Sequence, residues 1–124
     1  MIFRFKKLVS SFRNGLRGVR VGFIENNFRL MFALAVLALG GIIFFPLERW
    51  EAVVVVFLIG AVLSVELINS QFERVLDIIK PTYDKRIKNI KDISAGAVLV
   101  ISITSLVIGL IIFIPYLVKL INNF

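Results

Sequence analysis

The sequence has no cysteine and no histidine. Without cysteine there is no disulfide framework, no thiolate metal site and no thiol nucleophile. Without histidine the commonest general base and the usual zinc ligand are gone. Any acid–base or metal chemistry therefore falls to the carboxylates, and these are scarce: eight acids against fifteen basic residues. What the chain has in quantity is apolar surface. Hydrophobic residues make up 59% of its 124 positions and the mean hydropathy is +0.94. A soluble domain holds ~45–50%, and a small globular core has nowhere to enclose the excess, so the composition points to a membrane protein.

The net charge of +7 is unevenly spread. Arg4, Lys6, Lys7, Arg13, Arg17, Arg20 and Arg29 precede the first long apolar run, and Arg74, Lys80, Lys85, Arg86, Lys88 and Lys91 lie between the second and third. These clusters flank apolar runs and lack interleaved stacking aromatics, which argues against nucleic acid as their partner. The runs are LMFALAVLALGGIIFFPL (30–47), AVVVVFLIGAVLSVELI extended helically to residue 72 (52–72), and ISAGAVLVISITSLVIGLIIFIPYLV (93–118). Eighteen helical residues rise about 27 Å, close to the ~30 Å hydrocarbon core. The expected fold is an all-α membrane protein with three spanning helices, forming one integral-membrane domain over residues 1–124.

The first run sits behind a long basic segment and ends in Phe44-Phe45-Pro46 without a small-residue cleavage pattern, so a chain retained whole is expected rather than a cleaved leader. The basic segments predict an N-terminus and a 73–92 connection on the cytoplasmic side. The "ERWE" turn at 48–51 and the C-terminus then face outward. Before the first span, Phe5, Leu8, Val9, Phe12, Leu16, Val19 and Phe23 recur at helical spacing opposite Arg4, Lys7, Arg13, Arg17 and Arg20. This pattern predicts an amphipathic helix over about residues 3–24 lying in the headgroup plane, its basic side toward anionic lipid or ligand. A plain topology anchor explains the same pattern.

The second run is the unusual one. It ends VELINSQFERVLD (65–77), and Glu66, Asn69, Glu73 and Asp77 share one face of a helix. An acid near hydrocarbon costs a few kcal/mol, so such residues face a bundle interior or wet cavity and mark function; a structural polar seam between helices is the bland alternative. Lys91 and Asp92 open the third span, where Lys91 suits a phosphate contact or a snorkelling anchor. Asp92 is expected to cap the helix N-terminus. Ser94 to Ala97 are small enough for close helix approach, and Glu25 precedes the first span on the same side. Glu25, Glu66, Asn69, Glu73, Lys91 and Asp92 are thus expected at one level, an array of hard oxygen ligands suited to Mg²⁺ with nucleotide phosphates.

These residues carry a resemblance. E-x-N-x-R (Glu25, Asn27, Arg29), E-L-x-N-S-x-x-E-x-x-x-D (Glu66, Leu67, Asn69, Ser70, Glu73, Asp77) and K-D-x-x-A-G-A-V-L (Lys91, Asp92, Ala95 to Leu99) resemble the signature blocks of the prokaryotic diacylglycerol kinase / undecaprenol kinase family. The resemblance covers nearly the whole chain. It implies a homotrimeric kinase of the bacterial cytoplasmic membrane, phosphorylating a lipid alcohol with Mg-ATP. By position, Glu66 would be the general base at the lipid substrate, with Ala95 beside that substrate. Glu25 and Glu73 would bind Mg²⁺. Asn69 would position the γ-phosphate or the base, and Tyr83, Lys91 and Asp92 would contact the nucleotide. Met31, Gln71-Phe72 and Asp84 depart from residues usual in the family. Two other function classes compete: a non-catalytic membrane protein whose polar seam drives oligomerisation, and an ion-conducting bundle. The latter needs polar residues through the full membrane depth, and the first span has none.

Overall fold

The computed structural model describes residues 1–124 and is all-α, without strands. Its four helices are α1 (Ile2–Gly22), α2 (Asn26–Phe44), α3 (Arg49–Ile79) and α4 (Lys85–Asn122). The last three are long and apolar enough to cross a membrane. α1 is the amphipathic helix. Its apolar stripe, Phe5 through Val19, is exposed, so nothing else in the chain covers it. The joint to α2 is tight: the Phe23 ring meets Phe28 and Phe32 edge-on at 5.0 and 4.8 Å. Gly22 is buried beneath Leu67 of α3, and any side chain there would run into that leucine.

α2 stops at Phe44 because Pro46 pushes the preceding residue out of helical geometry; Phe45 is extended (φ −92, ψ 148). α3 starts three residues after Pro46 by a capping box in which Glu48 accepts from the Glu51 amide and Glu51 accepts from the Glu48 amide at 3.0 Å. Trp50 Nε1 donates to Glu48 Oε2 at 2.6 Å, and the Tyr116 hydroxyl of α4 donates to Glu51. Pro115 lies inside α4 without ending it.

α3 and α4 are longer than their apolar runs. At ~1.5 Å per residue their 31 and 38 residues reach about 46 and 57 Å, past the ~30 Å hydrocarbon core. The expected 73–92 connection therefore needs correcting. α3 continues to Ile79 and α4 already begins at Lys85, leaving only residues 80–84 as linker. The expected cap is corrected with it: Asp84, not Asp92, is the N-cap of α4. Its carboxylate accepts the Arg86 amide at 2.8 Å and the Arg86 and Lys80 side chains at 3.1 and 2.8 Å. Hydrogen bonds from Arg86, then Lys80, hold Asp84 well below the usual carboxylate range.

α3 is the centre of the bundle and packs against both α2 and α4. α2 and α4 meet where Gly41 faces Phe113; a methyl group on Gly41 would approach the ring to 2.8 Å. Little else is enclosed. Nine of 124 residues are buried, the apolar ones in side-chain terms being Phe28, Ala35, Val55, Leu76 and Ile112. Lipid makes that economical, since acyl chains solvate leucine as well as a core does and spans associate by close packing and polar contacts instead.

Two outcomes follow from this packing. Gly41→Val forces the Phe113 ring aside and lowers stability by about 1–3 kcal/mol, measured by thermal unfolding in detergent. Asp84→Asn lowers the melting temperature by a constant amount at neutral pH. Because the folded pKa of Asp84 lies below its unfolded value of 3.8, its contribution is complete above that value and fades as pH falls toward the folded one. Melts of the two proteins therefore converge below about pH 4.

Candidate active site

Every acid of the VELINSQFERVLD stretch lies on α3, which stays helical through the whole of it. Burial divides them. Glu66, Asn69 and Ser70 are 2%, 6% and 4% exposed, while Glu73 and Asp77 are open to solvent. Ser70 is satisfied, its hydroxyl donating to the Leu67 carbonyl at 2.9 Å. Glu66 Oε2 and Asn69 Oδ1 are not: both are enclosed and take no hydrogen bond within the chain. A buried unpaired acceptor forfeits about 1–3 kcal/mol, more if charged, so two of them one helical turn apart mark a place built for a donor that comes from elsewhere.

The other carboxylates gather around this point. Glu73 and Glu25 are the two acids whose charge acts on the Glu66 carboxyl. Glu73 has neither a hydrogen bond nor an ion pair. Glu25 occupies the N-cap position of α2 but makes no side-chain cap there. It reaches across to α3, where Arg74 donates to its Oε1 from Nη2 at 2.6 Å and from Nε at 3.1 Å. Both bonds fall on one oxygen, leaving Oε2 free of them.

A second group forms where α3, the linker and α4 meet. Tyr83, Lys91 and Asp92 line one open cleft of 320 Å³ together with Asp77 and Lys88. Lys91 Nζ sits on Asp77 Oδ1 at 2.5 Å, and Lys88 Nζ on Asp92 Oδ2 at 2.9 Å. The Asp92 hydrogen bond holds the Lys88 ammonium above its ordinary value. Asp92 thus pairs along its own helix instead of capping it, and Lys91 bridges α4 to α3. The six residues expected at one level resolve into an acid group (Glu25, Glu66, Asn69, Glu73) and this linker cleft. Ala95 is exposed on α4 and lines neither cleft. A larger open groove of 530 Å³ separates α1 from α3, lined by Gly15, Arg17, Gly18, Leu67 and Gln71 among others.

No three acids lie close enough to cage a metal ion. Mg²⁺ needs no such cage, because it takes one or two carboxylates plus substrate phosphates. The free Oε2 of Glu25, the unpaired Glu73 and the orphaned oxygens of Glu66 and Asn69 are hard donors of that type. Sequence spacing missed Arg74, which lies 49 residues from its partner Glu25, and missed Asp77 as the partner of Lys91. Asp84 as a cap was legible, since an aspartate three residues after Pro81 and directly before a basic helical stretch is an ordinary helix start.

A family model described as prokaryotic diacylglycerol kinase matches residues 13–113, a stretch that contains all the residues just described. The chain belongs to that family. This diacylglycerol-kinase-family protein is also 34% identical over 114 residues to an undecaprenol kinase of Bacillus subtilis (strain 168), covering 90% of this chain and 91% of that one. Membership makes the chain a lipid kinase, and three of its helices are long and apolar enough to cross a membrane.

In this family member the Lys91–Asp77 pair is partly solvated, with side chains 34% and 64% exposed. Lys91→Met and Asp77→Asn, combined in a double-mutant thermal-unfolding cycle, should therefore show a coupling of only about 0.2–1 kcal/mol.

Proposed function

We propose that the protein transfers the γ-phosphate of Mg-ATP to the hydroxyl of a membrane lipid alcohol, undecaprenol in preference to diacylglycerol, giving the lipid phosphate and ADP. The observation that carries this reading is the buried Glu66 Oε2 without a hydrogen-bond partner. A general base needs a carboxylate oxygen that no other residue occupies, within reach of a hydroxyl. In the transfer, Glu66 takes the proton of the lipid O–H while that oxygen bonds to the γ-phosphorus and the bridge to ADP breaks. Asn69, one turn along and also unpaired, orients the base or the γ-phosphate. Glu25 and Glu73 hold the metal of Mg-ATP. When bound, Mg²⁺ supplies charge neutralisation on the phosphates, which with positioning is most of what phosphoryl transfer requires. Tyr83, Lys91 and Asp92 bind the nucleotide from the linker cleft, and Ala95 belongs to the lipid side of the site.

The choice of undecaprenol is supported by the activity in the Bacillus subtilis relative's name and by the breadth of the match to it. The basic residues ahead of α2 and around the linker support a site on the cytoplasmic face of a bacterial membrane. Assembly as a homotrimer, over one domain spanning residues 1–124, is the part of the proposal that follows from the family resemblance.

Purified protein in nanodiscs, given labelled ATP, Mg²⁺ and a panel of polyprenols and diacylglycerols, should label undecaprenol fastest. Glu66→Gln should lose about 10²–10⁴ of that rate while still binding Mg-ATP. An unchanged rate in Glu66→Gln, or an intact oligomer that labels no lipid, overturns the proposal in favour of a structural polar seam.

A further inference from the structure

Glu25 and Glu73 are both close enough for their charges to act on the Glu66 carboxyl. Like charges so placed repel, and more strongly where protein and lipid replace water. Of the three, only Glu25 has a cationic partner, and that partner is Arg74. The pair ties the segment before α2 to α3 across 49 residues. Its geometry is lopsided: Nε and Nη2 both fall on Oε1 rather than one on each oxygen. A guanidinium fork meets both carboxylate oxygens when recognition is complete. Here one oxygen remains to be used. Arg74 is 40% exposed, so its head group has room to withdraw without unpacking the helix. The buried, unpartnered Glu66 Oε2, on whose carboxyl the Glu25 charge acts, and Asn69 Oδ1 one turn along α3 are a separate sign that further ligands enter at this point.

We propose that Arg74 is a positioning residue: a built-in counter-cation that holds Glu25 by Oε1 in the metal-free protein and yields part of that carboxylate when a divalent cation arrives. The inference rests on the reading of Glu25 as a metal ligand. It assigns Arg74 two opposed effects. By neutralising one acid it keeps α2 and α3 together while the site is empty, and by competing for the same carboxylate it weakens binding of the bare cation. A purely structural tie would have the first effect without the second.

Nucleotide-free metal binding separates the two. Mn²⁺ is titrated by electron paramagnetic resonance against protein in nanodiscs at low ionic strength. Arg74→Met, which keeps the apolar stem, should bind Mn²⁺ roughly tenfold more tightly than wild type. Its melting temperature without metal should be lower and should recover on adding Mn²⁺. Arg74→Lys retains the charge and should stay within about twofold of wild type in Mn²⁺ affinity. In a Glu25→Gln background, Arg74→Met should change affinity little. Unchanged or weaker Mn²⁺ binding by Arg74→Met, or Arg74→Lys behaving like Arg74→Met, overturns the counter-cation. If Glu25→Gln alone binds Mn²⁺ as wild type does, the assignment of Glu25 to the metal has failed, and the competition falls with it for that distinguishable reason.

Discussion

Everything in this molecule is arranged around a carboxylate that the chain itself leaves without a hydrogen-bond donor. Glu66 lies at the end of an apolar run, is 2% exposed, and has an oxygen with no partner. In water such a group would be solvated, and in a finished protein core it would be paired. A helix bathed in lipid offers neither remedy. The burial is tolerated because α3 is the central helix, flanked by α2 and α4, so Glu66 and Asn69 turn into protein instead of acyl chains. That same enclosure deprives Glu66 of water, and the proposed role as general base rests on it.

The rest of the architecture supplies what a nearly coreless bundle needs to hold this face in register. At one end of α3 the capping box of Glu48 and Glu51 is joined by Trp50 and by Tyr116 from α4. At the other end the ties are ionic: Arg74 to Glu25 on one flank, Asp77 to Lys91 on the other. Glu73, directly before Arg74 and four residues before Asp77, has no ion-pair partner of its own. The ion pairs are partly exposed, so each contributes modest stability; their larger effect is to fix which acids are committed to neighbours and which remain available.

Extending α3 and α4 beyond the hydrocarbon has a chemical result. It carries Asp77, Lys88, Lys91 and Asp92 on rigid helices into the region next to the linker, where an open cleft forms beside Tyr83. The shortness of the linker, residues 80–84, follows from Asp84. By accepting the Arg86 amide it starts α4 early, and in doing so gives a residue that departs from the family's usual pattern a structural task.

The sequence by itself determined the membrane setting, the number of spans, the amphipathic α1 and the acidic face of α3. These depend on composition and periodicity, which are properties of single helices. The family was legible for the same reason: its blocks are local strings, with Glu66, Asn69 and Glu73 inside one of them. Pairings between helices were decided only by the tertiary structure. That Glu25 faces Arg74, that Lys91 is bound to Asp77 and that Asp92 turns to Lys88 depend on how three helices rotate and slide against one another, and no spacing along the chain encodes that. The orphaning of Glu66 and Asn69 is of the same kind. A sequence records that an acid is present; only packing decides whether anything stands opposite it.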